Sequence, residues 1–210
     1  MNEFTLHCFA ESGNAYKAAL MLQLCGAEWE PKRIEFFKGA TRSDEFRATN
    51  IMGEAPVMVH HRAGGDFTLS QSGAILIYLS RHFGRFGHET EAEEYEILRW
   101  ILFDNHKLSS YTATERFMRH IRKKIGDPAA EFMYARAKDA WKILATHLEG
   151  RDWAAADRPT IADLSLCGYL FWPEQIDADW SEYPSIQAWL HRIRSLDGWA
   201  APEALMPSGA

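Results

Sequence analysis

Cysteine is scarce in this chain: Cys8, Cys25 and Cys167 are its three cysteines among 210 residues. Their odd number and irregular spacing fit neither a metal-ligand pattern nor a C-x-x-C pair, which excludes a disulfide scaffold and a dithiol motif. Free thiols in a reducing compartment follow, so a cytoplasmic location is expected. Positive charge is also in deficit, 23 Lys and Arg against 29 Asp and Glu for a formal net charge of −6. That balance argues against nucleic acid or an anionic membrane surface as a partner. No apolar run approaches the roughly 18 residues of a membrane-spanning helix. The opening MNEFTLHCFAESGN lacks a basic region followed by an apolar one, so no signal peptide is expected. Internal repeats and low-complexity segments are missing as well.

What is present divides in two. Before Ser80, short strands alternate with helices. Phe4, Leu6 and Cys8 share one face of a first strand, a pattern of period two. The Ser12-Gly13-Asn14 cluster suits a helix start, Ala15 to Leu24 a helix, and Gly26 its stop. Trp29 to Phe36 reads as a second strand, followed by a polar stretch from Lys38 to Thr49. Pro56 heads a third strand, Val57 to His61, and Gly64-Gly65-Asp66 turns the chain into a fourth, Phe67 to Leu69. Ser72 to Leu79 reads as a buried helix.

After Glu89 the strand signals stop. The acidic Glu89–Glu96 opens a long helix, and Asp127-Pro128 caps another whose Tyr134, Ala137, Trp141, Leu144 and Leu148 fall on one face. Thr160-Ile161-Ala162-Asp163 is a capping-box variant before an apolar helix. Pro184 begins a last helix with Ile186, Trp189, Leu190 and Ile193 inward. The expected organisation is an α/β domain over 1–80, a linker over 81–88 and an all-α domain over 89–210.

Four local features occur in one order: Ser12-Gly13-Asn14-Ala15-Tyr16-Lys17, Asn50-x-x-Gly53-x-x-Pro56, Leu69-Ser70-Gln71-Ser72-Gly73-Ala74-Ile75, and Thr160-x-x-Asp163. This set resembles the cytosolic glutathione transferases over about Leu6 to Trp199, in particular bacterial members of a serine/asparagine type, theta- or nu-like. The resemblance implies a thioredoxin-like N-terminal domain that binds glutathione and a helical C-terminal bundle that contributes an electrophile pocket. It implies conjugation of the glutathione thiolate to a small hydrophobic electrophile, with glutathione as co-substrate, no other cofactor and no metal, in a homodimer. Disulfide or peroxide reduction, or ligand binding without catalysis, are the alternatives.

Site roles follow residue by residue. The family's proline at Pro56 is cis, against the alternative of an ordinary trans proline at a strand entrance. It leaves the main chain of Ala55 to pair with the cysteinyl backbone of glutathione. Gln71 and Ser72, at a helix N-terminus, match the pair that takes the γ-glutamyl end, where free N–H groups suit a carboxylate; Ser72 as a plain cap is the alternative. Ser12 and Asn14 are the candidate thiol activators, because a donor beside a helix start favours a thiolate. Phe9 stands where tyrosine-type members carry their phenol. Lys38 is the candidate for the glycyl carboxylate. Asp104, with its neighbour Asn105, matches the acidic position offered to the γ-glutamyl amine. Phe9, Ala10, Tyr111 and Trp172 are candidate walls of the electrophile pocket. Glu54 departs from the pattern, since a carboxylate two residues before Pro56 repels the glycyl end of glutathione.

Overall fold

The computed structural model describes residues 2–210. They form two compact units, one running to Arg85 and taking in Leu196–Ala210, the other Phe86–Ser195. The first is built on a four-stranded sheet of order β2-β1-β3-β4, with β1 at Phe4–Cys8, β2 at Trp29–Arg33, β3 at Val57–Arg62 and β4 at Gly65–Ser70. β1 runs parallel to β2 and antiparallel to β3, and β3 and β4 form a hairpin. The central position of β1 explains its burial: Phe4, Leu6 and Cys8 are inaccessible, and Thr5 on the other face is nearly so.

Helix α1 (Gly13–Leu24) packs against β1 and against a later helix of the same unit; all its residues except Asn14 and Gln23 are buried. Such enclosure accounts for its apolar composition, which a one-faced amphipathic helix would not need. The stretch read as polar chain holds two 3₁₀ turns and a short helix, α2 (Asp44–Thr49), whose start is capped by Ser43 accepting from the Phe46 N–H. Ser43-Asp44-Glu45 carried that start signal. Helix α3 spans Ser72–Phe83, packs on α1 and ends at Gly84 in the left-handed region (φ 62°).

In the helical unit, α4 (Glu91–Phe103) passes through a π-helical stretch, Asp104–Leu108, into α5 (Ser109–Arg116) and a second π-helical stretch, Phe117–Ile121. Then come α6 (Pro128–His147), α7 (Ile161–Leu166) and α8 (Pro184–Arg194). Asp127 caps α6, and the apolar face of α8 is the one expected from its spacing. The Thr160–Asp163 capping box forms. Asp163, wholly buried, also accepts from the Ala154 N–H and from Trp189 Nε1, each at 2.9 Å. One cap side chain thereby joins three segments of the unit. No helix among the described residues is long and apolar enough to cross a membrane.

Glu115 on α5 contrasts with Asp163. It is inaccessible, neither carboxylate oxygen has a hydrogen-bond partner, and its nearest cation, Arg119 Nε, stands 3.9 Å away. Arg119 instead turns its terminal nitrogens to Glu131 and Asp177. Burial therefore dominates and pushes the Glu115 carboxyl up to about 8.

The sequence pattern places residues 196–210 with the helical domain, whereas the chain returns to the first unit from Leu196. The Tyr16 hydroxyl donates to Ala200 O (2.8 Å), α9 (Pro202–Leu205) packs on α1, and the Ala10 N–H donates to Pro207 O (2.8 Å). Groups of the sheet unit that would otherwise be buried without partners are satisfied by this return.

Candidate functional site

Strand register brings the motifs together. His7 lies opposite Val57 across β1 and β3, and Val57 lies opposite Ser70 across β3 and β4. The chain leaving β1 toward Ser12, the loop entering β3 at Pro56 and the passage from β4 to Ser72 thus share one end of the sheet. With strands about 4.8 Å apart, those three crossings span about 10 Å.

The Ala55–Pro56 peptide is cis, and Ala55 stands two residues before the first ladder pair of β3. Its loop is held by Asn50, a buried side chain whose Nδ2 donates to Glu54 O at 2.7 Å. Asn50 Oδ1 accepts from the Met52 N–H and from Ser70 Oγ, both at 3.2 Å. One amide thus fastens the Pro56 loop to the end of β4. Gly53 (φ 64°) allows the tight passage, for a Cβ there would stand 2.9 Å from Thr41 O.

Gln71 is the N-cap of α3 and sits in the left-handed region (φ 72°) with no side-chain bond to the helix start. Ser72 is the first helical residue, buried, rather than the cap. The Ile75 N–H pairs with Gln71 O, so the N–H groups of Ser72, Gly73 and Ala74 precede the helix ladder. An uncapped N-terminus of this kind suits a carboxylate. Gln71 Nε2 donates instead to Glu54 Oε2 at 3.0 Å. Glu54 is thereby held by a neutral donor and keeps its charge beside the α3 start. Lys38 lies elsewhere in its contacts: Nζ pairs with Glu35 at 2.8 Å, which holds the Glu35 carboxyl low.

At α1 the start is closed. Ser12, buried, accepts the Ala15 N–H at 3.1 Å through Oγ. Accepting leaves the hydroxyl proton available for donation. Asn14 Oδ1 accepts from Lys17 Nζ at 2.9 Å, which points its amide N–H₂ as the remaining donor. Lys17 is completely buried. Sequence reasoning assigned it no role, although it is the one charged residue in α1, a signal that could have been read. Cys8 and Cys25 are poorly suited to serve as thiolates: burial pushes Cys8 up to about 12 and also raises Cys25.

Two pocket assignments do not survive as open surface. Phe9 stacks on Phe36 (4.5 Å) beneath Gly209, where a Cβ would lie 2.9 Å from Phe9 Cβ, and Ala10 is covered by its bond to Pro207. Glu11 fixes this cover, accepting from Ser208 Oγ (2.7 Å) and the Gly209 N–H (2.9 Å). In the helical unit Asp104 is inaccessible and accepts from Ser109 Oγ (2.7 Å) and Ser165 Oγ (2.5 Å). Its carboxylate serves that interior rather than an exposed amine, while Asn105 beside it is exposed. Trp172 is buried under Arg116 (4.3 Å), and Tyr111 is half-buried beside Arg136.

Comparison with known proteins agrees with this architecture. The family model described as the glutathione S-transferase N-terminal domain matches residues 3–81, and that described as the C-terminal domain matches residues 128–197. The disulfide-bond oxidoreductase YfcG of Escherichia coli is 27% identical over 192 residues, 89% of this chain and 88% of that protein. Glutathione S-transferase 2 of Schizosaccharomyces pombe is 25% identical over 228 residues, 92% and 91% of the two chains. A glutathione S-transferase crystal structure from Xanthobacter autotrophicus superposes with a TM-score of 0.85 at 27% identity, covering 94% of this chain and 95% of its own. With both domain models matched over most of its length, the chain belongs to the cytosolic glutathione transferase family.

Proposed function

We propose that this protein binds glutathione at the sheet end described above and conjugates its sulfur to a small hydrophobic electrophile. The observation that carries the reading is the convergence of the Ser12, Pro56 and Ser72 segments through strand register. The main chain of Ala55 pairs with the cysteinyl unit, the open start of α3 takes the γ-glutamyl carboxylate, and Gln71 borders it. Ser12 donates its hydroxyl proton to the sulfur, with Asn14 and the Lys17 charge beside it. The thiol proton leaves to solvent; the thiolate attacks the electrophilic carbon, a C–S bond forms, and the leaving group departs with its electron pair. In the helical unit Tyr111 is the candidate for the electrophile, and Lys38, whose ammonium has donors beyond the one given to Glu35, is the candidate for the glycyl carboxylate.

Disulfide reduction is the second reading, favoured by the E. coli relative named a disulfide-bond oxidoreductase. There the same thiolate attacks a disulfide sulfur and a mixed disulfide forms as the other sulfur leaves as a thiolate. A homodimer in the cytoplasm completes the proposal. The exposed Tyr95, Leu98 and Leu102, spaced three and four apart on α4, offer an apolar stripe for a second copy.

Calorimetric titration with glutathione tests the binding step. Saturable binding supports the enzyme readings, and none at millimolar ligand leaves a non-catalytic member. Parallel assays with an aryl halide and a small disulfide then separate conjugation from reduction, and light scattering gives the oligomeric state.

A further inference from the structure

At the opposite end of α3 from the thiol site, Glu3, His60 and His82 converge. Glu3 Oε1 lies 3.3 Å from His60 Nε2 and 2.8 Å from His82 Nε2, and one ligand atom from each residue falls within 4.8 Å of the others. They come from three segments: the residue before β1, strand β3 and the last turn of α3.

Each is held in place. The main chain of Glu3 accepts the His61 N–H at 2.9 Å, which fastens it to β3. His60 is buried, with Nδ1 2.7 Å from the Tyr78 hydroxyl. Where Nδ1–H donates to that hydroxyl, Nε2 presents its lone pair toward Glu3 and His82, the orienting arrangement typical of metal-bound histidine. Phe4 lies 4.4 Å from the His60 ring and 5.5 Å from His82, and Phe83 flanks His82 at 4.7 Å, so apolar rings wall the group on one side.

We propose that Glu3, His60 and His82 form a binding site for a first-row divalent cation of the zinc class. Two imidazole nitrogens and one carboxylate oxygen suit Zn²⁺ and its neighbours rather than Mg²⁺ or Ca²⁺, which prefer oxygen alone. Ligands at about 2.0–2.1 Å in a tetrahedron stand about 3.3 Å apart. The His60–Glu3 separation already has that value, the Glu3–His82 hydrogen bond opens by about half an ångström, and the two imidazole nitrogens, within 4.8 Å of each other, close on the ion. A fourth position is left to solvent. His82 lies ten residues along α3 from Ser72, about 15 Å at the α-helical rise. The ion therefore pins the start of β1 to β3 and α3 and takes no part in the thiol chemistry.

The test is titration of metal-free protein, prepared without an added histidine tag, with Zn²⁺ by calorimetry and with Co²⁺ by visible absorption. One-to-one saturation with a nitrogen/oxygen-type cobalt spectrum is expected. His82→Asn, a surface change whose fold is checked by circular dichroism, should weaken binding more than about 100-fold. Tyr78→Phe should weaken it about tenfold by releasing His60. Glutathione binding should be unchanged in His82→Asn. The absence of saturable binding, a thiolate-to-cobalt band, or wild-type affinity in His82→Asn would each overturn the site. Wild-type affinity in Tyr78→Phe would overturn the orienting role given to Tyr78.

Discussion

The two units dispose of their interior polar groups in opposite ways. In the helical unit Asp163 accepts from main chain and indole, and Asp104 accepts from two serines. These carboxylates are consumed by the fold. In the sheet unit one end keeps donors in reserve: the first N–H groups of α3, the Ser12 hydroxyl proton and the Asn14 amide. A ligand belongs where donors are left over, which is why the register of four strands points to chemistry while a richer set of buried hydrogen bonds points to stability. Glu115 is the exception in the helical unit, enclosed yet without hydrogen-bond partners.

The hardest blow to that contrast should come from Asp163→Ala. It strands the Ala154 and Thr160 N–H groups and the Trp189 indole, and a loss of about 3–5 kcal/mol is expected. Urea denaturation followed by tryptophan fluorescence reads it, and a loss near zero would show that the capping box is not what joins the segments. Ser12→Ala comes next. If its hydroxyl holds the thiolate, turnover with an aryl halide falls about 10²-fold, whereas glutathione affinity by calorimetry stays within about threefold, since the proposal rests binding on α3 and Ala55. Unchanged turnover would move the role to Asn14.

Glu115→Gln probes the exception. The buried carboxyl keeps its proton up to about 8, while the unfolded chain gives it up near the ordinary value of 4.5. Between those limits the unfolded state binds fewer protons, so stability declines as pH rises and levels off above them. The glutamine variant removes that slope. It should match the wild type at pH 4 and be more stable at pH 8 by chemical denaturation, by no more than the roughly 4 kcal/mol that the two limits allow; parallel pH curves would refute the assignment. Gln71→Glu should have the smallest effect. A second carboxylate beside Glu54 at the α3 start should lower glutathione affinity about tenfold, or about 1.4 kcal/mol, and unaltered calorimetric affinity would remove Gln71 from the ligand's border.

Much of the fold was legible because the signals are local. Thr160 and Asp163 announce a helix start by spacing alone, the Gly64-Gly65 turn joins two strands, and Ile186, Trp189, Leu190 and Ile193 mark a buried face. The N-terminal site motifs were legible for the same reason, each sitting where a strand passes into a turn or helix. What sequence did not reveal depends on enclosure. Lys17 has the look of a solvated helix residue until α1 is seen to be buried on nearly every side. Asp104 matches a position expected to face a ligand amine and Glu115 carries no signal of its own, yet both are inaccessible. Residues 196–210 carry too few periodic positions to declare which unit they join. The Glu3, His60 and His82 group is spread over 80 residues of sequence, so no spacing rule could gather it.

The return of residues 196–210 also sets an order of events. The sheet unit is interrupted in sequence, its chain leaving at Arg85 and resuming at Leu196. On a ribosome adding about 5–20 residues per second, the helical unit is synthesised complete before Ala200 exists to receive the Tyr16 hydroxyl. Of these two units the one begun earlier is thus the one finished later, and a nascent chain halted at Ser195 would carry an α1 still lacking its final neighbours.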